Sequence, residues 1–284
     1  MAVAAALDDV HLVSVDSMQV YRGMDIGTAK PSASDRASVP HHCLDLVDPW
    51  HDYTVAEFRA AHDAALAEIA AAGGRALLVG GTGLYHRVVV DEFDLPGRWP
   101  EMRAELSVEH PAALHARLTT LDPVAAGKIE PSNTRRLVRA LEVCLGSGRP
   151  FSSFGSGVDS YPETAVVQIG LRRPRPLVAE LIDRRIRGMI DDGLVDEVRS
   201  LLSSGFSRTA GQALGYKEIV EHLEGRIGED EAIEMIGTRT RRFATRQDRW
   251  FRRDPRVRWI DVDGDGDPAP DVGPAIVAAF ESLR

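Results

Sequence analysis

Asp16 closes the apolar run HLVSV and opens DSMQVYRGMDIGTAKP, a stretch dense in polar groups. A carboxylate at the end of a strand can take a proton from a substrate, hold a divalent ion, or cap the turn that follows. The residue alone does not choose among these. Its neighbours narrow the chemistry, because Ser17, Gln19, Tyr21, Arg22, Thr28 and Lys30 offer an amide, hydroxyls and cations of the kind that read a nucleobase and hold phosphates. A second cluster, Gly80-Gly81-Thr82-Gly83-Leu84-Tyr85, follows the run ALLV. Glycines between a strand and a helix let backbone N–H groups approach an anion, with Thr82 adding a hydroxyl. A tight turn without a ligand explains the same glycines equally well.

A third group is basic. Arg239, Arg242, Arg246, Arg249 and Arg253 are spaced three, four, three and four apart, so a helix would carry all five on one stripe. Phe243, Gln247, Trp250 and Phe251 fall off that stripe and include its anchors to a core. Most charged stripes are simply solvated faces. This one has no acid within it, which points to a polyanionic partner, and it stands in a chain whose formal net charge is -9.

These groups need a frame. HLVSVDS and ALLVGG read as strands buried on both faces, each opening into a loop, and VAEFRAAHDAALAEIAAAGG between them recurs at helical spacing until Gly73 and Gly74 stop it. Strand, helix, strand predicts a parallel sheet in an α/β fold. AVVQIGL from Ala165 predicts another strand after the loop-like FGSGVDS, and WIDVD an edge strand. Proline punctuates an amphipathic stretch from Asp94 to about Leu121, which suits a small helical insertion. The remainder after Ala165 is mostly helical.

Cys43 and Cys144 lack His or Cys neighbours at metal spacing, so buried, reduced thiols are expected rather than a disulfide framework or a zinc site. DVDGDGDPAPD departs from a calcium loop at Val272, where a bidentate Glu should stand. No run approaches the roughly 20 apolar residues of a spanning helix, and MAVAAALDD lacks a basic leader, so a cytoplasmic location is expected.

Seven segments carry a resemblance. DSMQVYRGMDIGTAKP, the PHHCLDLVDP run from Pro40, LLVGGTGLY, NTRRLVRALEV from Asn133, IDRRIRGMIDDGLVDEV from Ile182, QALGYKE from Gln212 and RRFATRQDRWFRR from Arg241 resemble, in the same order, the tRNA dimethylallyltransferases of the tRNA isopentenyltransferase family. The resemblance implies a P-loop-NTPase-like parallel sheet flanked by helices, a catalytic core at 1–93 and 129–284, and an insertion at 94–128 that contacts the anticodon arm. It implies transfer of a dimethylallyl group from its diphosphate to N6 of the adenine 3′ to the anticodon, position 37, in tRNAs reading codons that begin with U. Asp16 corresponds to the general base, Arg185 to a diphosphate contact, and magnesium to the ion that accompanies the diphosphate. The implied tRNA contacts are Asp16, Ser17, Met18, Gln19, Thr82, Arg103, Arg135, Arg136, Leu137, Val138, Arg139, Gln212, Ala213, Leu214, Gly215, Tyr216 and Lys217, to which the stripe adds Arg242 and Arg246. The expected partners are the tRNA anticodon stem-loop and dimethylallyl diphosphate, with no membrane, and a monomer is expected.

The chain departs from this family at its start, where a strand and a G-P-T-x-x-G-K-[ST] loop are expected and MAVAAALDD matches the end of the helix that follows them. A start codon placed late by about 15 to 25 residues, or a decayed gene, would account for this. Weak transfer by the 284-residue chain, and an exposed apolar edge beside HLVSVDS, are the expected consequences. The insertion also looks shorter than the family's. Three rival readings follow: a cytokinin-type transferase acting on free adenosine phosphates, a catalytically silent tRNA-binding remnant, and, more distantly, a nucleoside or shikimate-like kinase.

Overall fold

The computed structural model describes residues 1–91, 93–155, 157 and 160–282. It divides into two compact units, one of Met1–Val90 with Glu163–Arg284 and one of Asp91–Pro162. The first unit begins with α1 (Ala2–Ala5), β1 (Val10–Val15), α2 (Ala33–Ser38), β2 (His41–His42), α3 (Val55–Ala71), β3 (Arg75–Gly80) and α4 (Gly83–Val90). The second holds α5 (Pro100–Ser107), α6 (Pro111–Leu121), α7 (Pro123–Lys128) and α8 (Thr134–Ser147). The chain returns to the first unit with β4 (Gln168–Arg172), α9 (Arg175–Asp191), α10 (Leu194–Leu202), α11 (Tyr216–Leu223), α12 (Glu229–Phe251), β5 (Val257–Asp261) and α13 (Ala269–Glu281).

β1 is the central strand of a parallel sheet in the order β2-β1-β3, and pairs with β3 from Val10↔Arg75 to Val15↔Gly80. Its alternation sends Val13 and Val15 into the main core, with Phe58, Ile186, Val198 and Ile219, while Val10 and Leu12 meet Leu7 and Phe280 on the other face. That two-sided burial is why the segment reads as an unbroken apolar run. α3 starts on a capping box between Thr54 and Glu57, buries Phe58, His62, Ala65 and Ile69, and gives way at Gly73 with φ +72°.

β4 and β5 form a separate parallel pair from Gln168↔Val257 to Arg172↔Asp261, so WIDVD does supply a strand. HLVSVDS does not form the apolar edge expected there, since β1 is paired on both sides. Among the described residues, the sides of β3 and β4 left without a strand partner instead line one cavity of about 1050 Å³, with Val79 and Leu171 among its walls. Both side chains are exposed, and the buried Gln168 amide has no hydrogen-bond partner among the described residues. α13 was not anticipated from the sequence, and its Val272 and Phe280 are buried. The expected loop FGSGVDS, at 154–160, lies partly outside the described residues.

The second unit is longer than the insertion expected at 94–128. Three short helices have too little apolar face to bury alone, and α8 supplies the rest: Leu137, Val138, Leu141 and Cys144 pack with Leu106, Leu114 and Leu118. Asp122 closes this core at the start of α7. Burial by itself would push its carboxyl up, but N–H groups of Ala125 (2.9 Å) and Ser152 (2.7 Å) and the Ser152 hydroxyl (2.8 Å) outweigh that and hold it below the usual carboxylate range. Cys43 and Cys144 are buried and unbridged, and burial pushes the Cys43 thiol up to about 11.

Because the folded-state pKa of Asp122 is depressed, its contribution is complete above the unfolded value of about 4 and disappears as pH falls through the lower folded value. Asp122→Asn is therefore expected to flatten the acid side of the stability profile, measured as urea midpoints between about pH 3 and 6. It should cost about 0.5–2 kcal/mol at neutral pH through the lost cap. An unchanged acid limb would contradict this assignment.

Candidate active site

Asp16 follows directly on β1, at the carboxyl end of the sheet, where open α/β sheets collect reactive groups. Its Oδ1 accepts the N–H groups of Met18 (2.7 Å) and Gln19 (3.3 Å), which fixes the carboxylate over its own turn. Among the described residues Oδ2 has no hydrogen-bond partner, so one oxygen remains available to accept a proton. The Arg185 guanidinium on α9 is exposed by surface area yet ringed by protein atoms. Desolvation pulls it below the usual arginine value, and the Asp16 carboxylate opposes that pull. The two groups are thus electrostatically coupled across the site.

Gln19 is held at both ends of its amide. Oε1 accepts the Ser14 hydroxyl at 2.8 Å, and Nε2 donates to the carbonyls of Thr28 (3.2 Å) and Ala29 (3.3 Å). Ser17 is tied to the other loop through Thr82, whose hydroxyl accepts the Ser17 N–H at 3.1 Å and donates to the Ser17 hydroxyl at 3.3 Å. The glycines around Thr82 have a further purpose that neither sequence explanation foresaw, namely close approach by other backbone and side chains. A Cβ on Gly80 would lie 2.2 Å from the Val15 carbonyl oxygen. On Gly81 it would strike the Gln247 amide, which donates to the Gly81 carbonyl at 2.8 Å, and on Gly83 the Trp250 indole.

α12 therefore rests on the Thr82 loop through Gln247 and Trp250, and its arginines occupy a different face. Arg242, Arg246 and Arg249 are exposed on the helix, and Arg253 is exposed just beyond its end. Arg239 is committed to the buried carboxylate of Glu218. Phe243 is not a core anchor: it is exposed, with the Arg246 guanidinium 5.8 Å from its ring centroid.

Several expected RNA contacts sit elsewhere than on the surface. Leu137 and Val138 are buried in the second unit, and Ala213, Gly215 and Tyr216 in the first. Arg135, Arg136 and Gln212 are exposed, while Leu214 and Lys217 are half-buried. Arg139 holds its own linker, donating to the carbonyls of Pro96 (2.9 Å) and Gly97 (3.0 Å) and pairing with Glu142 at 3.1 Å. Arg103 pairs with the same carboxylate at 3.5 Å. Glu142, fully buried, was missed; a carboxylate four residues beyond Val138, on the apolar side of α8, was the available signal.

A resident metal does not fit the side chains present. Among the described residues no group of three or more His, Cys, Asp or Glu converges on a point, and the site offers Asp16 alone. Magnesium commonly binds through one or two carboxylates and substrate phosphates, a donor set to which Asp16 could contribute one member. No described helix is long and apolar enough to cross a membrane.

Residues 19–254 match the family model described as IPP transferase. The chain is 47% identical over 283 residues to a tRNA dimethylallyltransferase of Kineococcus radiotolerans, covering 94% of this chain and 87% of that protein. Among solved structures it is similar to a full-length tRNA isopentenylpyrophosphate transferase from Bacillus halodurans, at 36% identity and a TM-score of 0.68, over 99% of this chain and 91% of that one. It also shares the fold of a eukaryotic dimethylallyltransferase acting on tRNA, at 23% identity and a TM-score of 0.79, over 100% of this chain and 76% of that one.

Gly80→Ala is the substitution that this geometry penalises most directly, since the added methyl meets a backbone atom that cannot rotate away. It should destabilise the fold by about 1–3 kcal/mol and displace Asp16 through Val15. A thermal midpoint and a turnover assay that both match the wild type would refute the close approach.

Proposed function

The chain belongs to the IPP transferase family, and we propose that it transfers a dimethylallyl group from dimethylallyl diphosphate to an adenine of tRNA. The acceptor atom in this reading is N6 of the adenine 3′ to the anticodon, position 37, in tRNAs that read codons beginning with U. The observation that carries it is the Asp16 carboxylate: one oxygen is fixed by two backbone N–H groups, the other is open, and it stands at the strand end beside the clamped Gln19 amide.

An exocyclic adenine amine is a weak nucleophile because its lone pair is delocalised into the ring. As the bond from N6 to the allylic carbon forms, the nitrogen becomes acidic, and Asp16 accepts the proton it sheds. The bond from that carbon to the diphosphate oxygen breaks with its electron pair, which leaves on the diphosphate, and Arg185 meets the charge of the departing anion. Gln19 reads the base, which must leave its stack to reach the strand end. Magnesium accompanying the diphosphate would supply charge neutralisation. The site needs a polyanion to approach it, and the exposed arginines of α12 together with Arg135 and Arg136 supply phosphate contacts.

Those basic side chains favour tRNA over free adenosine phosphates, the acceptors of the cytokinin-type alternative. Full-length protein offered both acceptors should prenylate an anticodon stem-loop and leave the mononucleotide largely unmodified. Asp16→Asn should lower turnover by about 100-fold or more with little change in tRNA affinity. Wild-type turnover in that variant would end the general-base assignment. Arg242→Gln combined with Arg246→Gln should weaken tRNA binding and reduce the salt slope of log K by about 1–2. A slope that stays constant would mean that this face is merely solvated.

A further inference from the structure

The segment Asp25–Gly27 presents three successive backbone N–H groups in one direction, an arrangement that binds anions. A protein carboxylate occupies it. Glu197, in the first turn of α10, accepts the N–H of Asp25 (2.9 Å) and Ile26 (2.7 Å) on Oε2 and that of Gly27 (3.3 Å) on Oε1. Oε1 also accepts the hydroxyl of Tyr216 at 2.5 Å. Tyr216 is fully buried, and its ring lies so close to Gly27 that a Cβ there would sit 2.4 Å from Cε2. Burial and the neighbouring carboxylate both push the phenol up, so it remains a donor at any physiological pH.

The same segment continues into the carbonyls of Thr28 and Ala29, the two groups that receive the Gln19 amide. Lys30 organises the loop locally: its buried ammonium donates to the Tyr21 carbonyl and to Asp25 and Asp45. It does not attach the loop to the helices. Glu197 and Tyr216 make that attachment, from 170 or more residues away in sequence.

We propose that Glu197 is a positioning residue for the acceptor base: by filling the Asp25–Gly27 cradle it holds the Thr28 and Ala29 carbonyls where they orient the Gln19 amide. Orientation matters chemically. With Nε2 committed to those carbonyls, Oε1 accepts the Ser14 hydroxyl and keeps a second lone pair, an acceptor that an adenine N6 amine can use and a guanine O6 cannot. If the loop drifts, the amide can turn over and present a donor instead. This inference rests on the acceptor being a tRNA adenine.

Glu197→Gln keeps the shape but replaces one acceptor oxygen with an amine that cannot receive an N–H. It should raise KM for the stem-loop by about tenfold or more and lower its preference for adenine over guanine at the target position, measured by competitive binding of the two stem-loops. KM for dimethylallyl diphosphate should stay within about twofold. Tyr216→Phe, which removes a single hydrogen bond and preserves the ring against Gly27, should shift the same quantities in the same direction by less. It serves as the deciding variant if Glu197→Gln does not fold. Equal losses toward both substrates, or unchanged adenine preference in a folded variant, would overturn the proposal. Wild-type protein that prenylates no stem-loop would instead overturn the reading of function on which it rests.

Discussion

Pairing of β1 on both sides is the constraint from which the active site takes its shape. A strand held along its full length by β3, and by β2 at Leu12 and Val13, cannot slide, because a one-residue slip would exchange its two buried faces. Its last pair, Val15↔Gly80, puts the Val15 carbonyl so close to Gly80 that no side chain fits there. The residue after that pair is Asp16, so the carboxylate is carried directly on registered strand backbone. In the proposed reaction, the base and the diphosphate come to a group that stays in place.

From that point order spreads through hydrogen bonds of modest individual strength. Ser17 is held by Thr82, the Thr82 loop by Gln247 and Trp250, and Gln19 by Ser14 on one side and Thr28 and Ala29 on the other. Each net contribution is about 1 kcal/mol, yet together they leave the side chains around Asp16 few alternatives. Preorganisation of this sort lowers the reorganisation that charge development would otherwise demand. The second unit uses the same principle around Glu142, a buried carboxylate neutralised by Arg103 and Arg139 and by the Trp99 N–H. Breaking one member of such a set leaves a buried charge uncompensated, which is why these residues behave as a group.

What could be read from the chain itself was whatever depends on near neighbours. HLVSV and ALLV announce strands because both of their faces are buried, and the α3 segment announces its own start and stop through Thr54, Glu57 and Gly73. The arginine stripe was legible for the same reason, since helical spacing is local. Burial of Tyr216 and Leu137 was not legible: both stand in runs rich in polar residues, and only tertiary packing decides which member of such a run faces inward. Arg139 looked like a surface cation until its carbonyl partners at Pro96 and Gly97 were seen. Glu197 gave no local signal whatever, because its three N–H partners lie in a loop about which the α10 sequence carries no information.

α12 links the two halves of the problem that a tRNA-modifying enzyme faces, attraction of a large polyanion and exact presentation of one small base. Gln247 and Trp250 press the helix onto the Gly81–Gly83 loop, while Arg242, Arg246 and Arg249 emerge from an adjacent face. A helix backbone is stiff over this length, so a phosphate held by those arginines has a defined position relative to Thr82 and, through Ser17, to the turn that bears Asp16. Long-range attraction in an acidic protein needs only a local cluster of positive charge, because screening confines each charge to a radius of about 10 Å. If RNA docks on that cluster as proposed, the helix that carries it also buttresses the Thr82 loop, which would make binding and alignment a single mechanical event. An RNA docked on a more flexible element would bring the same affinity without the same register.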